Sequence, residues 1–260
     1  MRSLLFAAID HWRAPAPPPA KVAWLARHTY AHRGLHGAGL PENSRGAFAA
    51  AVAKGFGIEC DVQRSGDGHA MVFHDWELER LTGASGPVGD LSAAELGKIV
   101  LSGSEETIPT LSQTLALVRG KVPILIEVKS RGDRHVNALC LAVRRVLEGY
   151  RGPHAVMSFD PRVSRWFAIH SPHTVRGLVM TEENARTVGG RLRRRLALWH
   201  AQPDFLAYDV RDLPSAFPEA QRKRGLPVLT WTVRNAELAG RAGDYADAPI
   251  AEGAGLEGAA

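Results

Sequence analysis

Short apolar runs recur along the chain, each ending in polar residues, with helical patterns between most of them. Nine runs read as strands: Thr29–His32, Phe56–Val62, His69–His74, Pro123–Lys129, Ala155–Phe159, Thr174–Met180, Phe205–Val210, Pro227–Val233 and Pro249–Glu252. One helix opens at Asn43 or Ser44, carries Phe48 and Val52, and stops before Gly55. Asp160-Pro161 reads as an N-cap followed by a first-turn proline, leading into Val163–Ile169. Ser92-Ala-Ala-Glu95 and Thr110-Leu-Ser-Gln113 have the spacing of capping boxes, and Val136–Leu147 reads as a further helix. Arg191–Trp199 places Leu192, Leu196 and Trp199 at helical spacing with arginines opposite. That pattern predicts a helix with its leucines inward and a solvated basic face, in preference to a lipid-surface contact.

Strands alternating with helices imply parallel βαβ units. Eight such units close into a (β/α)8 TIM barrel, whose usual size of about 250 residues suits a chain of 260. Nine candidates for eight places leave one strand as a hairpin or edge piece, which the pattern does not single out. An open doubly wound sheet would use the same alternation, but no G-x-x-x-x-G-K-[ST] phosphate loop accompanies it. The stretch from Asp75 to Pro109 is far longer than an ordinary βα loop and holds a short helical pattern at Ser92–Ile99. It reads as a small inserted subdomain, placed to cover or shape an active site. Residues 14–20, Ala-Pro-Ala-Pro-Pro-Pro-Ala, form an extended connector. The chain thus divides into an N-terminal segment, 1–28, and a barrel, 29–260, with its insertion at about 75–109.

Composition narrows the class. With 45% hydrophobic and 23% charged residues the chain can bury a sizeable core, which excludes a wholly disordered or collagen-like polymer. Lys and Arg number 32 against 27 Asp and Glu, a net +5 interspersed with acids throughout, so nothing calls for nucleic acid. Cys60 and Cys140 form no C-x-x-C pair, which argues against a disulfide framework and a structural zinc. No apolar run approaches the ~20 residues a bilayer span needs. The opening Met1–Ile9 stops at Asp10-His-Trp-Arg13 without a clear cleavage site. The expectation is a cytoplasmic, reduced protein with at most a peripheral lipid contact.

Barrel enzymes place their chemistry where strands end, and here those ends are charged. His32-Arg33-Gly34, Glu59-Cys60-Asp61, His74-Asp75 and Glu127-Val128-Lys129 close four successive runs. Side chains alternate along a strand, so Glu59 and Asp61 share one face, as do Glu127 and Lys129. Converging carboxylates must pair, protonate or bind a metal, and oxygen-only ligands favour Mg²⁺ or Ca²⁺. Histidines are natural proton carriers near neutral pH, while Arg33 and Lys129 suit an anionic, phosphate-like group. A lone strand-end His or Glu is usually structural; four consecutive ends of this kind suit phosphoryl-ester chemistry.

These residues belong to a longer series. Ala31-His-Arg-Gly34, Pro41-Glu-Asn-Ser44, Ile58-Glu-Cys-Asp-Val62, Asp67-Gly68, Val72-Phe-His-Asp75, Leu78…Arg80-Leu-Thr82-Gly83, Ile108-Pro-Thr-Leu111 and Ile126-Glu-Val-Lys129 stand in the order seen in the glycerophosphodiester phosphodiesterase family. Met157-Ser-Phe159 and Trp231-Thr-Val233 resemble that family's later strands, so the resemblance runs from about Ala31 to Glu252. It implies hydrolysis of a glycerophosphodiester to sn-glycerol 3-phosphate and an alcohol such as choline or ethanolamine. It makes His32 and His74 the acid/base pair, Arg33 and Lys129 phosphate contacts, and Glu59, Asp61 and Glu127 the ligands of a divalent cation. It also suggests the substrate's own glycerol hydroxyl as nucleophile, giving a cyclic phosphate that water opens. Glu42 and Asn43 match a loop-organising motif. Phe159 and Trp231 stand either in the alcohol pocket or in the core.

Two positions depart from the family pattern. Ala248-Pro-Ile-Ala-Glu-Gly253 replaces Thr-Asp-x-Pro, and Trp231-Thr-Val-Arg234 replaces Trp-Thr-Val-Asn. Both bear on the alcohol side of the substrate. The rival readings are a lysophospholipid substrate, and a catalytically silent barrel that binds phosphate esters.

Overall fold

The computed structural model describes residues 2–131, 136–183 and 185–257; residues 1 and 258–260, the outer ends of the two expected segments, lie outside them. The strands are β1 (Tyr30–Ala31), β2 (Gly57–Arg64), β3 (Ala70–Val72), β4 (Ile124–Val128), β5 (His154–Ser158), β6 (Val175–Met180), β7 (Phe205–Asp209), β8 (Val228–Val233) and β9 (Ala248–Ala251). Each lies within about two residues of a run marked by the hydrophobic pattern. The helices are α1 (Arg2–Arg13), α2 (Pro19–Val22), α3 (Arg45–Lys54), α4 (Ala93–Leu96), α5 (Leu111–Val118), α6 (Val136–Leu147), α7 (Pro161–His170), α8 (Val188–Ala201), α9 (Ala216–Lys223) and α10 (Ala236–Tyr245).

The hydrogen-bonded order β1-β9-β8-β7-β6-β5-β4-β2-β3, with β1 also paired to β2, closes eight strands into a (β/α)8 barrel. The surplus strand is β3. It pairs antiparallel with β2, Val62 opposite Val72, so His74 follows a hairpin return and does not end a barrel strand. The reason lies in the length of β2. Val62 is its last residue in register with β4; Gln63 and Arg64 continue beyond and pair with Met71 and Ala70.

By its internal contacts the chain forms two compact units, Tyr30–His154 and a second that combines residues up to Thr29 with Ala155–Glu257. In the first, β2 is buried on both faces. Ile58, Cys60 and Val62 are fully covered on one side, and Glu59, Asp61 and Gln63 are each 2% exposed on the other. Charged residues are almost never this buried without partners, so this face marks the site. Ser44 caps α3 by accepting from the Ala47 N–H at 3.1 Å, and Gly55 ends it in a left-handed conformation. Thr110 and Ser92 form both expected capping boxes. The inserted segment has an apolar core of its own, in which Leu78, Val88, Leu96 and Leu101 pack with Met71 and Phe73. Covering each such side chain contributes about 1.5–3 kcal/mol. Its helix is shorter than the Ser92–Ile99 pattern suggests.

In the second unit, β5 to β9 run parallel over a core that includes Leu178, Leu198, Leu206, Tyr208, Phe217 and Val228. Helix α8 departs from expectation. Its inward row is Gly190, Arg194, Leu198 and Ala201, while Leu192 and Leu196 are exposed. The arginine can face inward because it has partners: Arg194 lies 3.3 Å from Glu182 and donates to the Ala185 carbonyl at 2.9 Å.

Candidate active site

The loop after β1 begins the site. Arg33 and Gly34 both adopt left-handed backbone angles, φ +55° and +81°, the first uncommon for a side chain of this size. A Cβ on Gly34 would lie 2.9 Å from both the Ala47 carbonyl carbon and the Phe48 ring, so glycine is required where the chain doubles back against α3. The turn aims the Arg33 backbone N–H at Glu59 Oε2, 3.0 Å away. The Arg33 guanidinium donates to Glu42 at 2.7 Å and its Nε lies 3.2 Å from Asp61. His32 Nε2 is 4.0 Å from Glu59.

Sheet register gathers the carboxylates. Asp61 stands opposite Glu127 across the β2–β4 pair, and Glu59 precedes Asp61 by two residues on the same face. One oxygen from each of Glu59, Asp61 and Glu127 lies within 4.8 Å of the others. Asn43 clamps Asp61 from both sides: its Nδ2 donates to the carboxylate at 2.9 Å, and its Oδ1 accepts from the Asp61 N–H at 3.2 Å. Lys129 Nζ reaches Glu127 at 2.9 Å and Asp61 at 3.4 Å.

Two cations do not satisfy three carboxylates, of which Glu59 and Asp61 are buried and Glu127 is largely covered. Burial, then the charges of Asp61 and Glu127, pushes the Glu59 carboxyl well above its ordinary range. Burial also raises Glu127, against the pull of Lys129. Asp61 is held down because Lys129, Arg33, His74 and the Asn43 hydrogen bond together outweigh its burial. A purely structural pairing with Arg33 and Lys129 therefore leaves Glu59 short of compensation. A hard divalent cation ligated by oxygen fits that deficit.

His74 approaches the same group from the hairpin. The Phe73 N–H donates to the Asp61 carbonyl at 3.1 Å, returning the chain to the level of the carboxylates, and Gln63 holds the Phe73 and Asp75 carbonyls at 2.9 and 2.5 Å. The His74 Nδ1 lies 2.6 Å from Asp75. Arg80 grips Asp75 through two nitrogens and, followed by His74, holds its carboxyl down at about 2. An ionised carboxylate only accepts, so Nδ1 donates and Nε2 is left to exchange a proton.

His32, Arg33, Glu59, Asp61, His74, Glu127 and Lys129 thus belong to one cluster in the first unit. Phe159 and Trp231 lie in the second unit, where their rings meet edge to face at 5.4 Å. Phe159 is 47% exposed, so it is not a core residue. Sequence reasoning gave no role to Arg80 or Gln63. Arg80 lies within a quoted motif, but an irregular loop has no periodicity from which its reach could be read. The two departures from the family pattern prove to be partners: Arg234 Nε donates to Glu252 at 2.7 Å.

Comparison with known proteins finds matches in both sequence pattern and fold. The pattern defining the glycerophosphoryl diester phosphodiesterase family matches residues 32–259. A Mycobacterium tuberculosis protein named "Probable glycerophosphodiester phosphodiesterase 2" is 35% identical over 224 residues, 83% of this chain and 77% of its own. Among solved structures, an Oleispira antarctica phosphodiesterase in complex with the product sn-glycerol-3-phosphate superposes with a TM-score of 0.75 at 24% identity, covering 86% of this chain and 92% of that one. A glycerophosphodiester phosphodiesterase from Thermotoga maritima does so with a TM-score of 0.69 at 25% identity, over 86% and 93%.

Proposed function

Because the chain belongs to the glycerophosphoryl diester phosphodiesterase family, we propose that it hydrolyses glycerophosphodiesters to sn-glycerol 3-phosphate and an alcohol. The reading rests above all on the three carboxylates that converge within 4.8 Å beside Arg33 and Lys129. Cation site, anion contacts and proton carriers occupy one cluster.

Glu59, Asp61 and Glu127 would hold a divalent cation, and their oxygen donors suit Mg²⁺ or Ca²⁺. Such an ion would supply positive charge that offsets the negative charge of the phosphodiester. Arg33 and Lys129 orient the phosphate and offset the charge that develops on it in the transition state. His32 and His74 move the protons: one accepts from the attacking glycerol hydroxyl, the other donates to the departing alcohol oxygen. Loss of the alcohol leaves a cyclic phosphate, which water opens to sn-glycerol 3-phosphate. Asp75 holds His74 with Nε2 available, and Asn43 fixes Asp61 for ligation. Phe159 and Trp231 are the residues that the family resemblance assigns to the alcohol. The same reading assigns residues 29–260 to a single barrel with its insertion at 75–109, treats 1–28 as an N-terminal segment, and places the enzyme in cytoplasmic phospholipid turnover.

The experiment is product analysis with glycerophosphocholine, glycerophosphoethanolamine and glycerophosphoglycerol under added Mg²⁺ or Ca²⁺. Release of sn-glycerol 3-phosphate with the free alcohol is expected from at least one. Absence of that product from all three, with either ion, overturns the reading.

A further inference from the structure

We propose that the outer face of α8, with the groove it forms beside α1 and α9, docks on an anionic phospholipid surface. Val188, Leu192 and Leu196 recur every fourth residue and so form one row along the helix. They are 73%, 50% and 52% exposed. A helix in a barrel layer ordinarily turns such a row inward; here the inward row is another one, which includes the partnered Arg194. A contiguous exposed apolar strip marks a surface that something covers.

Charge identifies what covers it. Helix α8 carries Arg191, Arg193, Arg194 and Arg195 and no acidic residue. Arg194 is buried against Glu182, and Arg195 is neutralised by Asp10. Arg191 and Arg193, beside the apolar row, have no acidic partner among the described residues. An apolar stripe edged by uncompensated arginines is the pattern of a helix lying in a membrane interface, where anionic headgroups meet the cations and acyl chains meet the leucines. A second copy of the same face would bring arginines against arginines, which disfavours self-association.

The groove beside this strip gives acyl segments room. It encloses about 1010 Å³, with Phe6, Ala7, Val188, Leu192 and Phe217 among its walls. Its walls are fixed in place. Asp10, 2% exposed, accepts from Arg195 at 2.5 Å, Trp199 Nε1 at 2.8 Å and Gln221 at 3.0 Å. The Arg195 guanidinium also lies over the Phe6 ring, 4.2 Å from its centroid. Helix α1 is thereby latched to α8 and α9.

The test is co-sedimentation of the full chain with vesicles of phosphatidylcholine alone or mixed with phosphatidylglycerol. Two variants accompany it, Leu192→Asp with Leu196→Asp, and Arg191→Glu with Arg193→Glu. The wild type should bind the mixed vesicles at least about tenfold more tightly than the neutral ones, and less tightly as salt rises. Both variants should keep the wild-type melting temperature and lose that binding by about tenfold or more. Equal binding by wild type and variants overturns the proposal. So does failure of the wild type to bind either vesicle, or a self-associated wild type that the same substitutions convert to monomer.

Discussion

Arg80 and Glu42 meet at 2.8 Å although 38 positions separate them, and the same guanidinium grips Asp75. The inserted segment is thereby tied to the loop after β1. Glu42 also accepts from Arg33, and Asp75 from His74, so one side chain couples the orientation of Arg33 to that of His74. Replacing Arg80 with Ala should lower kcat roughly 10- to 100-fold, the scale of a small misplacement of catalytic groups, without changing the melting temperature. Arg80→Lys should not restore the rate, because a point charge lacks the fork that holds two carboxylates. Full activity of either variant sinks the coupling.

Replacing His32 or His74 with Ala should reduce kcat by roughly 10²- to 10⁴-fold, the usual contribution of a positioned acid or base. The folded state should be unaltered by circular dichroism. A folded variant with near wild-type turnover would remove that histidine from the mechanism.

Excess EDTA should abolish turnover, and Mg²⁺ or Ca²⁺ should restore it. Calorimetric titration should show that Asn43→Ala weakens metal binding by roughly 10- to 100-fold, the cost of losing an outer partner of a ligand. Glu127→Gln should weaken it further while folding normally. Undiminished activity in chelator, with no metal in the purified protein, would leave the histidines and Arg33 to act without it.

The acid limb of stability provides another check. Asp75 has its carboxyl depressed from the ordinary carboxylate range to about 2 in the folded chain. Such a group stabilises the fold above the ordinary carboxylate range, and that contribution disappears as pH falls toward 2. Asp75→Asn should therefore melt below the wild type at pH 7, with the gap closing on acidification. A gap that stays constant from pH 7 to pH 2 would show that the Asp75 charge is not its source.

Much of this architecture was legible in the chain. Alternation of apolar runs and capped helices led to the barrel because strand and helix periods differ and N-caps have local signatures. Which run stood outside the ring was not legible: antiparallel pairing of β3 depends on β2 outrunning β4, a property of two distant segments. Helix α8 misled for a related reason. Leucine spacing identifies a row, but Arg194 could replace it inward only because Glu182 and the Ala185 carbonyl wait there. In the site, Glu59 and Asp61 were readable from alternation, whereas Arg80 reaches its partners from an irregular loop.

Exchanging the insertion's tip, residues 83–89, should change preference among alcohols more than it changes the melting temperature. These residues lie downstream of Asp75 and outside the barrel strands. A collapsed melting temperature with unchanged preference would make the segment structural.

The β2–β3 hairpin acts as a ruler. It measures the distance from Asp61 out past the barrel rim and back to His74, and its side chains alternate with a period of two. Sliding β3 by one residue against β2 would exchange the faces on which His74 and its neighbours emerge. Beyond Asp75 no such parity holds. The inserted segment can therefore change in length beyond Asp75 without altering the span from Asp61 to His74, which the five residues joining β2 to β3, Ser65 to His69, complete.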